Sequence, residues 1–64
     1  MDNISVLKNK RQILFDRTEK MEGYLQLKFE EKDWHGVADA AMDIREMEAQ
    51  IRLLDELIVI ELTK

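Results

Sequence analysis

Apolar residues recur at Ile4, Leu7, Leu14, Met21, Leu25 and Phe29, spaced by three, four and seven. That spacing lines one face of a helix. Asn3 or Asp2 can cap its start near Ile4, and Glu30-Glu31-Lys32-Asp33 ends the pattern. Gly23 is the one weak point, costing about 1 kcal/mol relative to Ala. A second stripe runs through Val37, Ala40, Ala41, Ile44, Met47, Ile51, Leu54, Ile58 and Leu62, with Asp33 as its N-cap. Four of its positions seven apart, Val37, Ile44, Ile51 and Ile58, are β-branched, a coiled-coil preference. The pattern predicts an all-α chain: one antiparallel two-helix hairpin over 1–64. The first helix is expected over about 4–32, the turn over about 33–35 and the second helix over about 34–62. Each helix would be roughly 42 Å long.

The misfits set the register. Arg11 and Thr18 fall inside the first stripe, and Glu48 and Asp55 flank the second. A turn near Asp33 makes residues whose numbers sum to about 66 face each other. Arg11 then meets Asp55 and Thr18 meets Glu48. Phe15 lies beside Ile51, Leu25 beside Ala41 and Phe29 beside Val37. The Arg11–Asp55 pair reads first as a buried ion pair that fixes register, giving specificity more than stability. A polar site inside a bundle is the alternative.

One seam does not absorb the second helix. Ala38, Met42, Ala49, Leu53 and Ile60 lie opposite its stripe, with Leu57 at the edge. From Ile51 to Leu62 the helix is apolar nearly all round, which marks a buried helix. An exposed patch of that size is a liability in a monomer. Met42, Ala49, Leu53, Leu57 and Ile60 are therefore the expected oligomer interface, closing a homo-oligomeric, four-helix bundle. A groove for another protein's helix is the alternative occupant.

Composition strengthens this expectation. Sixty-four residues are few for a self-sufficient core, and small folds lean on disulfides, metals or self-association. The chain has no Cys and one His, which excludes disulfides and thiolate zinc sites. No Pro interrupts the helices. Met1 to Val6 does not read as a signal peptide, and Leu57-Ile58-Val59-Ile60 is far short of a membrane span. A cytoplasmic setting without membrane contact is expected.

The net charge is −4, unevenly spread. Residues 1–32 carry seven Lys/Arg against six Asp/Glu, and residues 33–64 carry three against eight. The first helix has a mixed face of Lys10, Ile13, Arg17, Lys20, Tyr24 and Lys28. Cations and a phenol at helical spacing suit a phosphate and a stacked ring, and also an ordinary solvated surface. This face is too weakly basic to favour nucleic acid.

Trp34 is expected to seal the bundle end over Phe29 and Val37, and His35 to face solvent or cap. Together they form an alternative ligand-stacking lid. A metal at His35 with Asp33 or Asp39 lacks a second imidazole or thiolate. Asp39, Asp43 and Glu46 share one side of the second helix, as in Mg²⁺-binding bundles, but the first helix offers them only Glu30 and Glu31. A solvated acidic face is their default reading. No Ser/His/Asp set, phosphate-binding Gly loop or Cys nucleophile is present, so no catalytic residue, cofactor or enzymatic role is expected.

The stretch Asp33-Trp34-His35-Gly36-Val37-Ala38-Asp39-Ala40-Ala41-Met42-Asp43-Ile44-Arg45-Glu46, continued by Met47-Glu48-Ala49, resembles one in short helical proteins of uncharacterised function from bacteriophages and prophages. The resemblance implies a viral protein in a host cytoplasm, where small oligomers block host defence and some sequester nucleotide signals between hairpins. The expected function is thus a non-enzymatic, self-assembling accessory protein that captures a ligand or blocks a host factor. Its candidate ligand residues are Lys10, Arg17, Lys20, Tyr24, Trp34 and His35, and its partners are itself and a phosphate-bearing small molecule or host protein. The alternatives are a structural or adaptor coiled coil and an RNA-binding hairpin dimer. The architecture resembles plasmid-type RNA-binding hairpins, with no residues carried over.

Overall fold

A computed structural model describes residues 2–64. Its two elements, α1 (Asn3–Glu30) and α2 (Trp34–Leu62), pack against each other along their length. The result is a rod about 48 Å long. Asp2, not Asn3, caps α1, its carboxylate accepting from Ser5 N at 2.6 Å. That bond holds the Asp2 pKa below its usual range. Asp33 caps α2 by accepting from Gly36 N at 3.0 Å.

The turn comes earlier than the pattern predicts. α1 stops at Glu30, and the chain reverses through Lys32, whose φ of 59° lies in the left-handed region. Lys32 N donates to Phe29 O and Asp33 N to Lys28 O, the two bonds of a Schellman cap. An apolar contact usually accompanies such a cap. Here Lys28 Nζ stands 3.8 Å from Asp33 Oδ2 instead, and 3.2 Å from Glu31 Oε1. The hydrogen bond to Glu31 raises the Lys28 pKa. The Lys28 stem crosses Gly36, where an added Cβ would stand 3.0 Å from its methylenes and 2.9 Å from Asp33 Oδ2.

The seam between the helices is a strict heptad. Positions 4, 7, 11, 14, 18, 21, 25 and 28 of α1 are half-buried or buried, and so are 37, 40, 44, 47, 51, 54, 58 and 61 of α2. Three expected stripe members, Phe29, Ala41 and Leu62, are exposed instead, and Lys28 and Glu61 take seam places. Two helices that keep one seam in contact hold a 3.5-residue period, so position outranks residue type. The expected ion pair forms, Arg11 Nε meeting Asp55 Oδ1 at 2.5 Å, but it is not buried: a two-helix seam leaves both side chains in contact with water. Thr18 does not bond Glu48. It is buried, and its hydroxyl donates to Leu14 O at 2.8 Å within α1. Ala40, at 1% exposure the most buried residue, takes the seam place beside exposed Ala41. No large side chain among the described residues is fully buried.

Candidate functional site

The heptad turns two flanks of the hairpin outward. On one of them Lys10, Ile13 and Arg17 of α1 face Gln50 and Leu53 of α2 across a hollow of about 350 Å³, floored by Leu14 and Leu54. Arg17 continues into two adjoining hollows. It shares one with Asp43, Glu46 and Met47, and the other with Lys20, Met21, Tyr24 and Met47. Four of the candidate ligand residues, Lys10, Arg17, Lys20 and Tyr24, thus lie along one flank. The upper hollow offers two cations and an amide above an apolar floor, with no carboxylate in its wall. That combination suits a ligand with an anionic group and an apolar or aromatic body.

The lower part of the flank is different. Asp43 and Glu46 share the next hollow with Arg17 and Gln50. The sequence shows a basic face on one helix and an acidic one on the other, and only the fold puts them side by side. Tyr24 already carries Lys28 Nζ 5.2 Å from its ring centroid, so one ring face is occupied.

No protein-family model, curated protein or solved structure matches this chain.

Trp34 and His35 line none of these hollows. Trp34 meets Phe29 edge-on at 5.7 Å, the expected neighbour, but it remains 59% exposed and does not seal the end of the hairpin. The early turn leaves both rings outside the seam. His35 points to solvent, its Nε2 3.4 Å from Asp39 Oδ2. Asp33 is engaged by the Gly36 cap and by Lys28, and no three potential metal ligands converge among the described residues. No helix among them is long and apolar enough to cross a membrane.

The interface candidates divide. Leu53 walls the upper hollow; by helical spacing Leu57 and Ile60 follow it toward the helix end, where Ile60 also borders a separate hollow with Asp55, Glu56 and Val59. Met42, 68% exposed, and Ala49 sit on the outermost face of α2, away from that hollow. Missing from the sequence-based candidates were Gln50 and Leu54. Their signal is indirect: they flank Leu53 on the second helix at the height of Lys10 and Ile13.

Proposed function

We propose that this chain is a non-enzymatic, self-assembling binding protein that captures a phosphate-bearing small molecule on the Lys10–Arg17 flank. One observation carries the reading: Lys10, Arg17 and Gln50 ring an apolar hollow without a carboxylate. Two cations there would hold a phosphate by charge-assisted hydrogen bonds, while Ile13, Leu14, Leu53 and Leu54 take an apolar or ring-bearing body. The stretch that resembles phage proteins makes a host nucleotide signal, captured in the host cytoplasm to antagonise defence, the ligand of first choice. Asp43 and Glu46 beside Arg17 oppose a long polyanion along the flank and disfavour an RNA partner.

The test is titration of the full chain with inorganic phosphate, ATP and a cyclic dinucleotide, followed by native mass spectrometry. A nucleotide complex that Arg17→Glu abolishes supports the reading. A wild-type chain that retains none of the three probes overturns it.

A second reading, a structural or adaptor coiled coil for another protein's helix, is favoured by the exposed Met42 on the outer face of α2. A pull-down that depends on Met42 and not on Arg17 would select it.

A further inference from the structure

The hairpin exposes 5072 Å². A folded monomer of 7.6 kDa ordinarily exposes about 4,300 Å². The excess, about 800 Å², equals one partner's share of a standard protein interface. Large apolar side chains are among the exposed residues. Residues seven apart share a face of these helices, so Val6, Ile13 and Leu27 of α1 join Leu53, Leu57 and Ile60 of α2 on the flank that holds the upper hollow. The opposite flank has Phe15 in a hollow with Arg11, Thr18, Glu22, Glu48, Ile51 and Arg52, and by the same spacing it also exposes Phe29, Trp34, Val59 and Leu62, but Arg11, Glu22, Glu48 and Arg52 break its middle with charge.

The apolar flank is complementary to itself. Within the hairpin, α1 and α2 residues whose numbers add to about 66 stand at one height. A second hairpin laid alongside, with its turn at the same end, brings its α2 against α1 of the first at those same heights. Val6 then meets Ile60 of the partner subunit, and Ile13 meets the partner's Leu53. Lower down, Lys20 meets the partner's Glu46, and Tyr24 stands level with the partner's Asp43. Apolar faces apolar near the free ends and Lys20 faces a carboxylate below them, while Leu27, nearest the turn, stands level with the partner's Asp39 and lies outside the matched stretch. Neighbouring helices all run antiparallel.

We propose that two copies of this chain pack side by side through the Ile13–Leu53 flank, about a two-fold axis parallel to the hairpin. This dimer deepens the ligand reading, because it sets the two upper hollows face to face and closes them into one chamber with two Lys10 and two Arg17. Its own support is the exposed area and the matched charges. Four cations around one chamber repel each other, so a bound anion strengthens the dimer.

The chain lacks cysteine, so an introduced thiol is the only one present. Chains carrying Ile13→Cys and chains carrying Leu53→Cys are mixed and oxidised, which makes any disulfide between the two variants intermolecular. The expected result is a predominant mixed dimer. Lys20→Glu is expected to weaken association about ten-fold, and adding Glu46→Lys to restore it. Absence of the mixed disulfide overturns the proposal, as does preferential linkage of Leu53→Cys chains to Met42→Cys chains, which would place the turns at opposite ends. A monomer that binds ATP leaves the ligand reading standing and removes the dimer. A dimer that forms the mixed disulfide but ignores every phosphate probe keeps the dimer and removes the ligand.

Discussion

Arg11 and Asp55, 44 residues apart in sequence, join the two helices by the one hydrogen bond between their side chains among the described residues. The bond sits in the seam, where Arg11 occupies a place that a Leu would ordinarily fill. Both side chains keep contact with water, at 37% and 47% exposure, so screening limits what the pair contributes. Asp55→Ala is expected to cost less than about 1 kcal/mol in urea denaturation. Arg11→Leu is expected to be neutral or stabilising, because an apolar side chain completes the seam. A loss above about 3 kcal/mol in either variant would show a buried, uncompensated charge and contradict this account.

The two glycines give opposite predictions. Nothing lies within 4 Å of a Cβ added at Gly23. Gly23→Ala is therefore expected to raise stability by about 0.5–1 kcal/mol through helix propensity. Gly36→Ala crowds the Asp33 cap and the Lys28 stem at once, and is expected to lower stability despite the same gain in propensity. Thermal melts of the two variants check the sign of each.

Lys32 holds a left-handed conformation that costs an L-residue about 1–2 kcal/mol. Lys32→Gly is expected to stabilise the hairpin by about 1 kcal/mol, since the Schellman bonds are made by backbone and survive the change. A lower melting temperature would mean that the lysine side chain contributes to the turn in another way.

Acid should loosen the start of α1 first. The Asp2 carboxylate has a folded pKa below its ordinary 3.8, so its capping contribution is present above that value and is lost as pH falls through the folded pKa. Lys28 works at the other extreme. Its pKa is raised above 10.5, so the contribution of its contact with Glu31 is fully present below 10.5 and is lost as pH rises past the folded value. A protection factor at the Ser5 amide, taken against its intrinsic exchange rate, that falls below pH 4 in the native chain and responds less to pH in Asp2→Asn is the expected outcome. An unchanged acid profile in that variant would remove Asp2 from the account.

Much of the hairpin is legible in the sequence, because period and capping are local signals. The second helix is capped by Asp33 as expected, and Arg11 finds Asp55 because misfit charges on two stripes admit few registers. The edges were less legible. Phe29 and Leu62 look like core by residue type, yet the heptad gives their places to Lys28 and Glu61. The pattern puts the turn late because the left-handed conformation at Lys32 carries no glycine to announce it. The candidate site was half legible. The spacing of Lys10, Arg17, Lys20 and Tyr24 predicts a shared face, but Gln50, Asp43 and Glu46 join them only through the packing of the second helix. Trp34 and His35 were grouped with the site by chemical type, and the early turn sets them apart from it.

Sedimentation equilibrium of the full chain at micromolar concentration tests the claim that one hairpin leaves too much apolar surface uncovered. The account predicts a mass of about 15 kDa, twice the chain's 7.6 kDa, falling toward a single chain in Leu53→Asp. A fully helical species of 7.6 kDa that stays single as the concentration rises would contradict it.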